Sequence, residues 1–197
     1  MFNLVPAWAI HYQEFWLTVR SRNLWFIKLR YTAVVMLLFF IIFPKYFLEI
    51  NFTDEQQFAL LIITFSILVY NITFHFLRQF VKLDADKFNP LHLSILQMIF
   101  DLTALMLIVY FTGSVESPLL LFFVIHMIVG SLILPGFVIY TFAVVIVLTF
   151  WGITVGEYYS ILPHHHVSGF LPFSLHQQFN YVLAMNVSFA FLVDMIV

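Results

Sequence analysis

Six long apolar runs, separated by short polar breaks, set the pattern of this chain. The runs cover 25–48, 58–77, 91–111, 119–134, 137–155 and 179 onward. Each approaches or exceeds the ~18–20 residues that cross a bilayer core as a helix. Pro90 stands at the first turn of the third run, where its missing N–H does no harm. Leu134-Pro135-Gly136 is a tight turn, Pro44 sits near the end of the first run, and 112–118 is a polar hinge. Residues 1–23 are too polar to span. There Trp8, Tyr12, Phe15, Trp16 and Val19 share one helical face, with Gln13, Glu14, Thr18, Arg20 and Arg22 mostly elsewhere. That pattern suits a helix lying in the membrane interface; the alternative is a flexible basic leader with anchoring tryptophans. The expectation is an all-α polytopic membrane protein. It comprises an N-terminal interfacial segment (1–23) and a six-transmembrane-helix bundle (24–197).

Composition agrees. The chain is 63% hydrophobic and 9% charged, against roughly 25% charged in soluble domains. Its surround is the lipid bilayer. A net charge of −2 and the lack of a glycine-rich phosphate loop argue against nucleic acid as a partner. With no cysteine, disulfides, thiolate metal sites and thiol nucleophiles are excluded. Residues 1–23 have no short apolar core behind a basic start, so a removable signal peptide is not expected. Of eight Lys and Arg residues, seven (Arg20, Arg22, Lys28, Arg30, Arg78, Lys82 and Lys87) fall on one side of the spans and Lys45 on the other. The positive-inside rule makes that side cytoplasmic. Both ends then lie inside, and 44–57, 112–118 and 156–178 lie outside. No inverted repeat is visible. The last run is still apolar at Val197 with no charged stop, which implies a truncation before a cytoplasmic output domain. The alternative is a small protein ending at the inner interface.

Polar residues within the runs carry the candidate chemistry. Ser94, Gln97, Asp101 and Ala104 share a face at spacings of three and four. Ionisable groups at bilayer depth cost ~2.5–3.5 kcal/mol on insertion scales, so they tend to face the bundle interior and pair. Asp101 and His126 both fall ~12–15 Å below the outer surface at 1.5 Å per residue. An Asp101–His126 contact across the hinge is therefore within geometric reach. It serves as a proton-linked switch, a headgroup site or a structural interhelical hydrogen bond. Gly130 either permits close approach of another helix or is a small packing residue. Asn71, His75 and Arg78 share a stripe, and His92 opens the next run at similar depth. The two histidines either bridge a metal or haem, or reach headgroups. Asn186 is read as helix–helix glue. After the fifth run come Glu157, His164, His165, His166 and His176. Imidazoles with a carboxylate are the usual ligands of zinc, copper or iron, although no His-Glu-x-x-His spacing is present. The alternative is a polar, pH-responsive interfacial loop. Ser114 and Ser117 have no base in their own loop, so catalysis is not expected.

Three stretches carry a resemblance: 97–102 (Gln97 to Leu102), 110–119 (Tyr110 to Leu119) and 122–135 (Phe122 to Pro135). Together they resemble the six-span input domain of bacterial sensor histidine kinases, whose best-known members are RegB-type redox sensors. Those sensors carry Gly-Gly-x-x-Asn-Pro-Phe in the loop between spans three and four, implicated in sensing the ubiquinone pool. Here Gly113 and Pro118 match, with Ser114 at the second Gly, Ser117 at the Asn and Leu119 at the Phe. The resemblance implies a non-catalytic sensory domain in the bacterial inner membrane, both ends cytoplasmic. It also implies a homodimer signalling to a response regulator through the missing kinase domain. The ligand would be redox-linked: quinone, or a divalent transition metal or haem held through histidines. The ligand residues would be Gln97, Asp101, Gly113, Ser114, Glu116, Ser117, Pro118 and His126. The rival readings are a haem- or metal-binding membrane redox protein and a small transporter or channel subunit.

Overall fold

Helix boundaries fall where caps and prolines put them. In the computed structural model, residues 13–47, 51–81, 88–167 and 175–195 are described. They form α1 (Gln13–Phe47), α2 (Asp54–Leu77), α3 (Pro90–Phe111), α4 (Leu121–Ser131), α5 (Gly136–Tyr158) and α6 (Phe179–Asp194). Short 3-10 turns occupy Ser114–Glu116, Pro118–Leu120 and Leu175–Gln177. Thr53 and Gln56 close a capping box at the start of α2, satisfying two otherwise orphaned N–H groups. Asn89 caps α3 by accepting from the Leu91 and His92 amides, with Pro90 in its first turn.

Among the described residues, four helices are long and apolar enough to cross a membrane: Glu14–Pro44, Asp54–Leu77, Pro90–Phe111 and Gly136–Tyr158. This is consistent with a membrane protein. Pro118–Ser131 and Phe179–Asp194 are shorter apolar helices. The sixteen residues of α6 rise ~24 Å at 1.5 Å per residue, less than the ~30 Å hydrocarbon core. The outer faces carry exposed Phe39, Phe58, Phe65, Leu148 and Phe191, as helices facing lipid do.

The break expected near residue 23 does not occur. From Gln13, the segment assigned to the interface forms the first turns of a 35-residue helix. No Gly or Pro lies between 13 and 43 to stop it. Trp16 and Val19 are buried in the same core cluster as Leu134, Phe189 and Val193. The polar side chains here serve other helices' ends. Asn23 Nδ2 donates to Pro90 O at 2.9 Å, and its Oδ1 accepts from Ser94 Oγ at 2.7 Å. Arg22 donates to the Leu132 carbonyl just past α4, where a cation is favoured. Trp8, Tyr12, Lys82 and Lys87 lie outside the described residues.

The central helix is α3, with 56% of its most apolar window buried against 22–33% for the other long helices. Its Leu102, Leu105 and Val109 join a cluster with α4, α5 and α6. Its Ala104 and Ile108 join a second cluster with Val34 and Ile41 of α1 and Leu60, Ile63 and Ile67 of α2. Gly130 permits the close approach of α3 and α5. A Cβ there would lie 2.8 Å from Met98 Cε and 2.9 Å from Ile139 Cδ1. Asn186 donates to Thr154 Oγ1 at 2.8 Å and so ties α6 to α5.

Candidate functional site

The chain reverses between α3 and α4 through two left-handed residues, Gly113 (φ 105°) and Ser114 (φ 48°). Glycine adopts that region freely; Ser114 does so at some cost. Thr112 Oγ1 and Ser117 Oγ close the hinge from inside at 2.7 Å. Ser114 Oγ donates to Glu157 Oε1 at 2.8 Å, tying the hinge to the last turn of α5.

The segment 163–167 has no helical structure, and its side chains alternate as they do on extended chain. His164 and His166 turn toward Glu116. His165 turns away, with its ring against Tyr110 and Phe111 at centroid distances of 4.9 and 4.8 Å. The residues expected as one metal set are thus divided, and His165 leaves it. Gln56 Nε2 holds the segment in place by donating to the carbonyls of His165 (2.9 Å), His166 (3.3 Å) and Phe111 (3.2 Å). Tyr110 Oη donates to Pro163 O at 3.0 Å.

Glu116 is the centre of the resulting cluster. Its Oε2 lies 2.9 Å from His166 Nδ1 and 3.5 Å from His164 Nε2. Its Oε1 accepts from the Leu175 amide at 2.8 Å and lies 3.9 Å from His176 Nδ1. On its other side, His164 Nδ1 faces Glu157 Oε2 at 3.4 Å. His176 stacks on His164 with centroids 3.6 Å apart. Both nitrogens of His164, His176 Nδ1 and Glu157 Oε2 are buried without a hydrogen-bond partner. Burial alone would raise the Glu116 carboxyl. Hydrogen bonds from His166 and Leu175, with the nearby imidazoles, outweigh it and hold the group below its ordinary value. Burial would lower His164, but Glu157 and Glu116 outweigh it and push the ring upward. His165 and His176 are lowered, chiefly by burial.

A second polar site lies deeper in the bundle. Arg30 Nε donates to Asp101 Oδ1 at 2.7 Å, and its Nη2 donates to Asp101 Oδ2 at 2.6 Å. Nη2 also reaches Gln97 Oε1 at 3.1 Å, and Nη1 lies 3.5 Å from Asn71 Oδ1. Tyr70 Oη donates to Asp101 Oδ1 at 2.9 Å, and the guanidinium lies 5.6 Å from the Phe74 ring centroid. The partners of Asp101 are therefore Arg30 and Tyr70. The Asp101–His126 pair is not formed: His126 Nδ1 lies 2.8 Å from Phe122 O, within its own helix. A buried carboxylate gains more from a two-point guanidinium than from an imidazole. Arg30, counted on the flank of the first span, instead lies inside it. Asn71 turns to Arg30 and to Ile27 O (3.0 Å), and His92 Nδ1 lies 2.8 Å from Asn89 Oδ1 at the start of its own helix.

Asp101 and His126 do share a cleft of about 550 Å³. Its walls are Phe39, Phe40 and Phe43 of α1 and Leu119 and Phe122 at α4, and it reaches Thr112 and Pro118 of the hinge. Phe39 and Phe122 are also exposed on the outer surface, so the cleft opens sideways between α1 and α4. Gln56, Arg30, Tyr70 and Tyr110 belong to these two polar sites, and the pattern of runs did not single them out. The available signal for Arg30 was a charge within an apolar helix.

Comparison with family models, with curated proteins and with solved structures finds no match.

Proposed function

We propose that this chain is the membrane-embedded input domain of a two-component sensor histidine kinase. It reads a redox-linked, quinone-type ligand and relays the state through α6. In this reading there are six spans, with Pro118–Ser131 and Phe179–Asp194 as the two shallow ones. Both ends are cytoplasmic in a bacterial inner membrane, and the domain works as a homodimer addressing a response regulator.

The observation that supports it is the lateral cleft. Its volume falls within the usual 300–1,000 Å³ of small-molecule sites. Its walls are mostly apolar, and Arg30, Tyr70, Asp101, Thr112 and His126 are its polar members. A quinone carbonyl only accepts hydrogen bonds, whereas a quinol hydroxyl also donates. The Arg30 guanidinium suits the first and the Asp101 carboxylate the second. Different affinities for two redox forms are what a two-state sensor requires.

The test is thermal unfolding of the purified chain with a short-tailed quinone and with its quinol. At least one form is expected to raise Tm, and the rise is expected to vanish in Leu119→Trp, which fills the cleft. No shift with either form, or a shift that Leu119→Trp leaves intact, refutes the ligand assignment. The class is tested separately by the native coding sequence after Val197. A phosphoacceptor helix and an ATP-binding domain are expected there, and a stop codon refutes the kinase reading.

A further inference from the structure

The quinone reading makes no use of the histidine–glutamate cluster at the hinge, and the cluster has a geometry of its own. Glu116, His164 and His166 each offer one ligand atom, and these atoms lie within 4.8 Å of one another. Two imidazole nitrogens converge on one carboxylate oxygen, at 2.9 and 3.5 Å. Ligands bonded at ~2.0–2.1 Å in a tetrahedron stand about 3.3 Å apart, so the two spacings bracket that value. The side chains of His164 and Glu116 are 7% and 4% exposed. Buried polar atoms are rarely left unpaired, and each such case needs a cause. Here four atoms lack a hydrogen bond at one point, His164 Nδ1 and Nε2, Glu157 Oε2 and His176 Nδ1, and meet their neighbours only in ion-pair contacts of 3.4 to 3.9 Å.

We propose that Glu116, His164 and His166 form a binding site for a divalent transition-metal ion of the zinc class. The ion takes His164 through Nε2 and His166 through Nδ1, with the Glu116 carboxylate between them. Glu157 then occupies the place that a carboxylate has behind many metal-bound histidines, facing the far ring nitrogen and fixing the tautomer. Ser114 holds Glu157 in turn, at 2.8 Å. His176, stacked flat on His164, is a wall of the site. Imidazole nitrogens favour zinc, copper or nickel over calcium and magnesium, which prefer oxygen shells. The ion would join the α3–α4 hinge to the segment after α5. Both also border the cleft, through Thr112, Pro118 and Val167. This inference does not depend on the quinone reading.

Isothermal titration of the purified full chain with ZnCl2 tests it. One equivalent is expected to bind, with equal CaCl2 failing to compete. Glu116→Gln and His164→Ala should each weaken binding by more than about a hundredfold. Glu157→Gln should weaken it by about ten- to a hundredfold, as loss of a supporting carboxylate does. His166→Ala covers the case in which a buried variant unfolds, because that side chain is 38% exposed. It should lose zinc while retaining its helical circular dichroism. His92→Ala, whose ring lies against Asn89 at the far end of α3, should bind as the wild type does. The proposal is overturned by a wild-type chain that takes up no zinc, by competition from calcium, or by wild-type affinity in both Glu116→Gln and His166→Ala. Loss of binding in His92→Ala overturns it too.

Discussion

Cutting the Arg30–Asp101 pair tests whether the deep polar site stabilises the bundle as a unit. In Asp101→Ala the guanidinium, 8% exposed, keeps Gln97 Oε1 at 3.1 Å, Asn71 Oδ1 at 3.5 Å and the Phe74 ring, but no anion among the described residues. Leaving one member of a buried pair unmatched costs about 3–5 kcal/mol. In Arg30→Met the carboxylate keeps Tyr70 and borders the cleft, so the loss is expected to be smaller. The double variant Arg30→Met/Asp101→Leu removes both charges and fills the space with apolar atoms. Such replacements are often neutral, so most of the stability lost in Asp101→Ala should return. The coupling energy of the cycle should then exceed about 2 kcal/mol, well above the ~0.6 kcal/mol average of interhelical hydrogen bonds in membranes. The assay is reversible unfolding in mixed detergent micelles, followed by circular dichroism, on all four proteins. Additive single losses, with the double variant the least stable, would refute the reasoning.

Other outcomes follow from the packing. Gly130→Ala puts a Cβ within 3 Å of Met98 Cε and Ile139 Cδ1 and should cost about 1–3 kcal/mol as overpacking. Adding Met98→Ala should recover part of that in the same unfolding assay; no recovery argues against the contact. Gln56→Ala removes the donor to three carbonyls and half of a capping box, at about 1–2 kcal/mol. Amide hydrogen exchange should accelerate over 163–167, and an unchanged rate there counts against the clamp. Asn186→Ala should lower stability by about 0.6–1.7 kcal/mol; no measurable loss would mean that the Thr154 bond contributes nothing.

Much of the fold was legible because the signals are local. Pro90 and Pro135 mark helix starts by their own chemistry, and α3, with polar residues at helical spacing, became the centre; the Thr53–Gln56 box, which starts α2 at Asp54 ahead of the apolar run, went unread. The bond made by Asn186 follows the expectation, and Gly130 takes the first of its two readings, close helix approach. The site was legible in its ingredients and not in their pairing. Glu157, His164, His166 and His176 come together with Ser114 and Glu116 of the hinge, two groups that had been read as separate sites. His165 was miscast because ligand type does not reveal the alternation of an extended segment. Arg30 was hidden because the inside-positive count treats any cation near a span's start as a flank. What identifies it is Asp101, 71 residues further on, and no periodicity within one run reports a partner in another.

That separation has a consequence for how the chain enters the bilayer. At typical synthesis rates of ~5–20 residues per second, Asp101 is made roughly 4–14 s after Arg30. Until then α1 holds a cation without its counter-ion, at a cost of ~2.5–3.5 kcal/mol if the cation sits at the membrane centre. The first helix therefore has reason to remain beside the translocation machinery, or to sit shallow with Arg30 near the headgroups, until the third is complete. The first three helices would then settle as one unit, and the ion pair would act as the latch of biogenesis.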